Sequence, residues 1–470
     1  MSDDLAGPLT GWSLAALAGA LRARKVSPVE VAHASLERIE ALDRRLRAFI
    51  TVDGEGALAA ARALQDAAEP GPLHGVPLAY KDLCRVRGLP SSCGTRTPGY
   101  FSGEPECTAV ARLRAAGAIA LGTLNMAELA LGPFGDNPHH GDPQNPWRAG
   151  HATGGSSSGA GAAVAAGLAA GALGTDTGGS IRLPAACCGI VGLKPTYGRV
   201  SRAGVMPLSW SLDHLGPMTR TVRDAALLLG VVAGHDRRDA TSSRRPVPDY
   251  AAALERPVRG LRVGLAANYY FAGVAPAMAD AVRAAARTLA TLGARVEPLR
   301  LPDPAAVAGA ANVIARCESA AVHVRVLRER PHELGPAVRG RLEVGLRVSA
   351  HDYIQAARLR ARHARAFIAE VFAEVDAVLA PVIPEPAPAY AAATAGGVDE
   401  VIRRMGRFSR LTRPFNGLGL PALSLPCGVG PDGLPQALQV VGRPFDESTV
   451  LGVAHALEQA QGGPPRPPLA

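Results

Sequence analysis

The stretch from residue 150 to residue 189 constrains the fold more than any other part of this 470-residue chain. It reads GHATGGSSSGAGAAVAAGLAAGALGTDTGGSIRLPAACCG, so two clusters of glycine and serine flank a segment of alanine, glycine and valine. Because its residues are so small, this segment predicts a helix that packs closely against its neighbours. Glycines beside a serine also let backbone N–H groups converge on one point, as the stabilisation of an oxyanion requires.

Short apolar segments alternate with helical patterns elsewhere in the chain. The segments VPLAY and AIALGTL predict strands, and residues 108–116 between them predict a helix. Such alternation is typical of an α/β layered fold with a mixed sheet. No internal repeat and no long linker divides the sequence, so we expect a single domain. Its expected parts are N-terminal helices (1–70), a core (71–234), a mainly helical insert (235–375), C-terminal core strands with a helix (376–460) and a disordered tail (461–470).

Composition argues against several classes of protein. A hydrophobic content of 47% is typical of a soluble globular protein. The N-terminal segment lacks the apolar region of a secretory signal, and no apolar run is long enough to span a bilayer. The seven cysteines show no C-x-x-C spacing, which indicates reduced thiols rather than disulfides or a zinc site. We therefore expect a cytoplasmic protein that does not act at a membrane.

The formal net charge of +9 raises the question of nucleic-acid binding. The arginines, however, recur at helical spacings with acids and alanines between them, as in LERIEALDRRLRAF. That pattern is typical of a solvated helix surface rather than a basic face for nucleic acid. From the sequence we expect no nucleic-acid partner.

Only three of the 50 basic residues are lysine, at positions 25, 81 and 194. Lys81 lies in an apolar stretch, GVPLAYKDL. Arginine supplies charge as well as lysine does, but it does not give up its proton in proteins. A function that needs a neutral amine is one reason for keeping a lysine at this position.

A second catalytic pattern, G-x-S-x-G, occurs at residues 155–159 with Ser157 at its centre. In a nucleophile elbow this motif follows a strand and opens a helix. The preceding segment NPWRAGHAT does not have the pattern of a strand, and the late His455 lies in an ordinary amphipathic helix. A Ser-His-Asp hydrolase is therefore the weaker interpretation of the serine-rich segment.

Several segments together resemble the amidase signature family of serine hydrolases. Besides the run at 150–189 they are GVPLAYKDL, GTLNMAELALG, GIVGLKPTYGRVSRAGVMPLSWSLDHLGPMTR, GLPALSLPCG and GLPQALQVVG. They cover about half of the chain, residues 73–221 and 379–442. Lys81, Ser156 and Ser180 fall where that family places its Ser-Ser-Lys triad.

The resemblance implies that Ser180 is the nucleophile, that Ser156 relays a proton and that Lys81 is the terminal base. It also implies a cis peptide bond at the relay serine and a three-layer α/β/α fold around a large mixed central sheet. A serine hydroxyl is a poor nucleophile until a base takes its proton. Burial would have to lower the lysine pKa by roughly three units from about 10.4, which corresponds to about 4 kcal/mol. Hydrolysis through an acyl-enzyme on Ser180 calls for no metal and no organic cofactor.

Further residues are expected around the triad. The backbone N–H groups expected to form the oxyanion hole are those of Thr177, Gly178, Gly179 and Ser180. The side chains expected to support the site are Ser157, which helps to position the lysine, Asp176 and Arg182, a buried pair that fixes the loop, and Asp213, a second loop-holding carboxylate. The apolar side chains expected to line the substrate pocket, with the core as their alternative place, are Met126, Leu131, Phe134 and Trp147.

The resemblance leaves two uses of the fold open. One is a stand-alone amidase for a small amide, anilide, carbamate or urea, and the other is the glutaminase subunit of a tRNA-dependent amidotransferase. Those subunits carry an acid shortly before a T-x-P-x-N segment, where it binds the amino group of glutamine. This chain has T-R-P-F-N at residues 412–416 but Phe-Ser-Arg at 408–410. We therefore expect the stand-alone enzyme, although Arg360 lies near the place of a carboxylate-binding arginine in those subunits.

A third interpretation is a non-catalytic binding scaffold on the same fold. The complete triad argues against it, because a chain that had lost its activity would be expected to lack part of that set. The expected partner is a small-molecule amide with an apolar acyl or aryl group. Dimerisation through the N-terminal helices is left open by the sequence.

Overall fold

A computed structural model describes residues 7–65 and 69–469 of the chain. Within these residues eleven strands form one sheet in the order β1-β3-β2-β4-β6-β5-β10-β11-β9-β7-β8. The strands are β1 (Phe49–Val52), β2 (Pro77–Lys81), β3 (Ile119–Leu124), β4 (Gly171–Asp176), β5 (Val191–Lys194), β6 (His214–Thr219), β7 (Arg262–Ala266), β8 (Arg295–Leu299), β9 (Ala377–Pro381), β10 (Ala422–Val429) and β11 (Pro435–Gly442).

The sheet mixes parallel and antiparallel pairs. Strands β3, β2 and β4 run parallel to one another, as do β9, β7 and β8. Antiparallel pairs fill the middle of the sheet, where β10 lies between β5 and β11. The prediction of an α/β fold around a large mixed sheet is confirmed.

Helices follow most strands, as the alternating sequence pattern predicted. The described α-helices are α1 (Leu14–Arg22), α2 (Pro28–Leu46), α3 (Gly54–Gln65), α4 (Thr108–Ala115), α5 (Ser158–Ala165), α6 (Arg182–Cys188), α7 (Val222–Val232), α8 (Tyr250–Ala253), α9 (Pro276–Thr291), α10 (Pro304–Glu329), α11 (Pro336–Leu346), α12 (Ala350–Glu374), α13 (Tyr390–Ala393), α14 (Val398–Phe408), α15 (Arg413–Gly417) and α16 (Glu447–Ala460).

Helices cover both faces of the sheet. Because successive side chains of a strand point to opposite faces, β2 sends Leu78 and Tyr80 into one hydrophobic core and Ala79 into another. The first core is closed by residues of α1, α7 and α16, and the second by residues of α2, α3 and α5. This arrangement buries β2 completely, so the residue at its carboxyl end lies in an apolar environment.

Sequence signals explain where two helices begin. Ser27 caps α2 and is followed by Pro28 at its first position, and Thr221 forms a capping box with Asp224 at the start of α7. The alanine-rich segment at residues 57–68 predicts a helix; α3 covers its described part, and residues 66–68 lie outside the described residues. In the predicted tail, Arg466 donates to the Gly11 carbonyl and Leu469 packs against the second core.

Helices of the insert pack against one another, and residues of α10 and α12 also share a hydrophobic core with strands β9, β10 and β11. Helix α10 contacts α11, α12 and α15.

Among the described residues, none of the helices combines the length and the apolar character that crossing a bilayer demands.

Candidate active site

Lys81 is the last residue of β2, and its amine is fully buried. Strand β4 runs parallel beside β2, so both strands end at the same edge of the sheet. Lys81 Nζ donates to Ser156 Oγ at 2.7 Å and to Thr175 Oγ1 of β4 at 2.9 Å. The predicted base and the predicted relay serine are therefore in direct contact.

Burial sets the protonation of this amine. Desolvation lowers the pKa of Lys81 from its ordinary range to about 7, and the nearby carboxylates of Asp176 and Asp213 offset only part of that effect. A large fraction of the Lys81 side chains is therefore neutral at neutral pH. In the neutral form, the contact with Ser156 lets the amine accept the hydroxyl proton of that serine.

The relay serine lies in a tightly packed segment. The Gly155–Ser156 peptide bond is cis, as the resemblance implies. Gly155 donates to the Pro133 carbonyl at 2.7 Å, and a Cβ at Gly155 would lie 2.2 Å from the Gly132 carbonyl oxygen. Only glycine fits at this position, which explains why the serine cluster begins with a glycine pair.

Ser180 follows β4 in the loop that leads into α6. The Ser157 N–H donates to the Ser180 carbonyl at 3.3 Å, so the loop that carries Ser180 is joined directly to the segment that carries Ser156. The Ser157 hydroxyl donates to the Thr175 carbonyl at 3.3 Å. Ser180 and Gly155 also line the same cavity.

The four N–H groups predicted for the oxyanion hole are not equivalent. The Gly179 N–H donates to Asp176 Oδ1 at 2.8 Å, so that group is already committed. The N–H groups of Thr177, Gly178 and Ser180 remain as candidates. Two side chains hold their loop: the Thr177 hydroxyl donates to Asp213 at 2.5 Å, and the Thr412 hydroxyl donates to the Gly178 carbonyl at 2.6 Å.

Asp176 and Arg182 form a fully buried ion pair on either side of Ser180 in the sequence. Arg182 donates from Nε to Asp176 Oδ2 at 3.0 Å and from Nη2 to Oδ1 at 3.1 Å. Burial alone would raise the pKa of Asp176, but the Arg182 charge and its hydrogen bonds outweigh burial and lower that pKa. Arg182 also donates to Gln439 and Asn416, which ties the loop to β11 and α15.

We expect the Asp176→Asn variant to lose about 3–5 kcal/mol of the free energy of unfolding, because Arg182 would keep a buried charge without its counter-charge. Urea denaturation measures this loss. Asp280→Asn is the matched control, since Asp280 is 73% exposed and pairs with Arg283 on the surface. Its expected effect is below about 1 kcal/mol. Equal stability of D176N and the native protein would contradict a structural role for the buried pair.

A cavity of about 170 Å³ opens in front of Ser180. It is lined by Thr177, Gly178 and Ser180 of the loop after β4, by residues 130–133, by α10 and α11 of the insert, and by α14 and the start of α15. Its larger apolar lining residues are Leu131, Leu183, Leu208, Val344 and Ile402. Three arginines also line it, at positions 316, 341 and 413.

Only one of the four predicted pocket side chains, Leu131, lines this cavity. Met126 is fully buried in the first core, and Phe134 packs against Phe408 with ring centroids 5.2 Å apart. The Trp147 indole donates to the Cys188 carbonyl at 2.8 Å, at the end of α6. Met126 and Phe134 therefore lie in the packed interior, and none of these three side chains lines the cavity.

The sequence did not predict that three arginines line the cavity or that Thr175 contacts the Lys81 amine. Arg316 and Arg341 come from helices of the insert, and no local motif indicates which face of those helices meets the cavity. Arg413 lies inside the T-R-P-F-N segment, so its position next to Thr412 was the one available signal. Arg360 instead donates to the Gly417 carbonyl at 2.9 Å, so it holds α15 in place.

Known proteins are similar to this chain in sequence and in fold. The family model described as Amidase matches residues 30–451. A curated relative from Methylococcus capsulatus, one of the subunits of its glutamyl-tRNA(Gln) amidotransferase, is 40% identical over 95% of this chain and 96% of its own length. The solved structure of the corresponding Thermotoga maritima protein, of the same name, is 32% identical, with a TM-score of 0.81 over 94% of this chain and 95% of that one.

A further solved structure is similar over 97% of this chain and 100% of its own, with a TM-score of 0.89 and 32% identity. It is described as a vestigial protein complex that reveals the evolutionary origins of an s-triazine catabolic enzyme.

The comparisons correct two expectations from the sequence. The curated relatives of this length are named as subunits of a tRNA-dependent amidotransferase, which contradicts the expected stand-alone amidase and the expected absence of a nucleic-acid partner. They favour the alternative, the glutaminase subunit. The expectation from the sequence was wrong because it inferred the function of the whole protein from the absence of one acidic residue before the segment at 412–416.

Proposed function

This chain belongs to the amidase family, and from that premise we propose that it is the glutamine-hydrolysing subunit of a tRNA-dependent amidotransferase. The prediction that the protein is an amidase, a hydrolase of carbon–nitrogen bonds other than peptide bonds, is confirmed by the same match. The observation that carries the proposal is the 40% identity to the amidotransferase subunit of Methylococcus capsulatus over nearly the whole length of both chains. The predicted cytoplasmic location stays a prediction.

The buried lysine and the two serines support a mechanism. Neutral Lys81 takes the proton of Ser156 while Ser156 takes that of Ser180, whose oxygen attacks the amide carbonyl of glutamine. The negative charge that develops on the carbonyl oxygen faces the N–H groups of the loop at residues 177–180. The relayed proton returns to the leaving nitrogen as ammonia departs, and a glutamyl ester remains on Ser180.

Water completes the cycle by the same relay. The neutral amine, acting through Ser156, removes a proton from the water that attacks the ester, and the proton then returns to Ser180 as glutamate leaves. The balance is one glutamine and one water consumed for one glutamate and one ammonia formed. In the proposed complex the ammonia goes to glutamyl-tRNA(Gln) rather than to solvent.

Reconstitution with the other subunits of the amidotransferase tests the proposal. Glutamine labelled with ¹⁵N in its amide is mixed with ATP, glutamyl-tRNA(Gln) and either the chain alone or the complex, and the label is followed into glutaminyl-tRNA. We expect transfer only in the complex, with glutamine hydrolysis at least about tenfold faster than by the isolated chain, a coupling typical of interacting sites. An assembled complex that transfers no label would overturn the proposal.

A matched pair of serine variants controls this experiment. Ser180→Ala is expected to stop the transfer, whereas Ser158→Ala is expected to preserve it, because the buried Ser158 hydroxyl has no hydrogen-bond partner among the described residues. Loss of transfer in S158A as well would indicate that disturbed packing, rather than a missing nucleophile, explains the first variant.

A further inference from the structure

We propose that Glu318 of helix α10 is a positioning residue for hydrolysis, because a buried chain of hydrogen bonds connects it to Thr177 in the loop at residues 177–180. Glu318 does not itself line the cavity in front of Ser180. This inference rests on the proposed function for its reaction, and it adds a residue of the insert that the relay of protons does not use.

The Glu318 carboxylate is fully buried and contacts both α12 and the segment at residues 207–213, which leads into β6. Its Oε2 accepts from the Ser209 hydroxyl at 2.5 Å and from the Ser211 N–H at 3.1 Å. Its Oε1 accepts from the Tyr353 hydroxyl of α12 at 2.8 Å. A buried carboxylate is unfavourable unless donors satisfy it, so these three donors fix the insert against the segment at 207–213.

Ser209 passes this restraint on to Asp213. The N–H groups of Leu208 and Ser209 each donate to Asp213 Oδ2 at 2.9 Å. The other carboxylate oxygen, Oδ1, accepts from the Thr177 hydroxyl at 2.5 Å. An unbroken chain of three hydrogen bonds therefore runs from Glu318 through Ser209 and Asp213 to Thr177.

Thr177 lies where a small displacement changes the rate. The N–H groups of Thr177 and Gly178 are candidates for the oxyanion hole, and both residues line the cavity in front of Ser180. Such donors act only at the right distance from the developing charge, and misplacement by about 1 Å lowers a rate by about 100-fold. The Thr412 hydroxyl holds the Gly178 carbonyl independently. Loss of the chain from Glu318 should therefore displace the loop only in part and lower kcat by about tenfold.

The neighbours of Glu318 on α10 contribute to the same site. Ala315, Arg316 and Ser319 line the cavity, while Glu318 between them reaches the segment at 207–213. One helix thus supplies part of the cavity lining and, from the adjacent position, a restraint on the loop. The arrangement ties a helix of the insert to the loop that carries the nucleophile.

A double-mutant cycle between Glu318 and Thr177 tests the inference. Glu318→Ala removes the start of the chain, and Thr177→Val removes the hydroxyl at its end but keeps the backbone N–H. We expect E318A to lower kcat for glutamine hydrolysis by the reconstituted complex by about tenfold, with KM changed less than about twofold. In the T177V background the same change should lower kcat less than about twofold, because the contact through which it acts is already gone. Tenfold losses in both backgrounds would overturn the inference.

Two further variants separate positioning from stability. The amide oxygen of Glu318→Gln can still accept from Ser209 and Ser211, so this variant should keep kcat within about threefold of the native value. Tyr353→Phe removes a hydrogen bond to the same carboxylate on the side of α12, and should change kcat by less than about twofold. Thermal unfolding checks the fold of each variant. Equal losses of kcat in Y353F and E318A would contradict the assignment, since both would then act through packing of the insert.

Fluorophosphonate labelling reads the same cycle without glutamine. The Ser180 oxygen displaces fluoride from phosphorus, and the phosphoryl oxygen takes the place of the carbonyl oxygen, so the labelling rate depends on the loop at 177–180. A non-additive cycle in labelling, in a complex that transfers no ammonia to tRNA, would overturn only the proposed function. Additive losses in labelling, in a complex that does transfer ammonia, would overturn only the role of Glu318.

Discussion

Replacing Ser180 by alanine is expected to lower kcat for amide hydrolysis by about 10⁴-fold or more, because the acyl-enzyme cannot form without its oxygen. The loop that carries Ser180 is anchored through Asp176 and Thr412, so the variant should keep its fold. Steady-state release of ammonia measures the activity, and thermal unfolding checks the fold. A fluorophosphonate probe should label the native protein once and leave S180A unlabelled.

The same labelling experiment distinguishes Ser180 from Ser157, the centre of the G-x-S-x-G pattern. The Ser157 hydroxyl is fully buried and donates to the Thr175 carbonyl. Mass spectrometry of the labelled protein should therefore place the phosphonate on Ser180. A phosphonate on Ser157, or full activity in S180A, would contradict the proposed triad and restore the nucleophile-elbow interpretation.

Replacing Lys81 by methionine is expected to lower kcat/KM by about 10³-fold, the range typical of losing a general base. The pH profile gives a sharper test. Because burial lowers the pKa of Lys81 to about 7, native kcat/KM should rise about tenfold per pH unit below pH 7 and level off above it. The residual activity of K81M should lack that rise. A native profile that is flat between pH 6 and pH 8 would contradict the role of the amine.

Stability measurements show whether K81M loses activity because the amine is missing or because the variant unfolds. The folded-state pKa of Lys81 is about 7, below the ordinary value of about 10.4 in an unfolded chain. Between these two values the unfolded state binds more protons, so this group makes the native protein more stable as the pH rises from 7 to 10. K81M should lack this contribution and unfold no more easily than the native protein at pH 7. Lys25→Met, at an exposed lysine, controls for a general change of charge.

The candidate catalytic residues could be predicted because the family resemblance that implies them is carried by short local motifs. The glycine pairs beside Ser156 and Ser180, and a lysine kept in an apolar strand, mark the three segments in which the resemblance places the relay. The structure places Lys81 and Ser156 2.7 Å apart. Thr175, the second partner of the amine, went unnoticed since a threonine in a strand has no distinctive signal.

The pocket could not be predicted in the same way, because its walls come from parts of the chain far apart in sequence. Arg316, Arg341 and Arg413 lie on three different helices, and only their packing brings them to one cavity. The apolar residues Met126 and Phe134 near the motif lie in the core, which was the alternative place that the sequence left open for them.

The buried Asp176–Arg182 pair is held in place by residues from the C-terminal part of the chain. Lys81, Ser156 and Ser180 all lie in the first 180 residues, yet Arg182 is held by Asn416 and Gln439. Strand β5 likewise completes its pairing only with β10, more than 200 residues later. We therefore expect a truncated chain that ends in the insert to carry Lys81, Ser156 and Ser180 without the contacts that hold the loop of Ser180 in place. Such a chain should show no amidase activity.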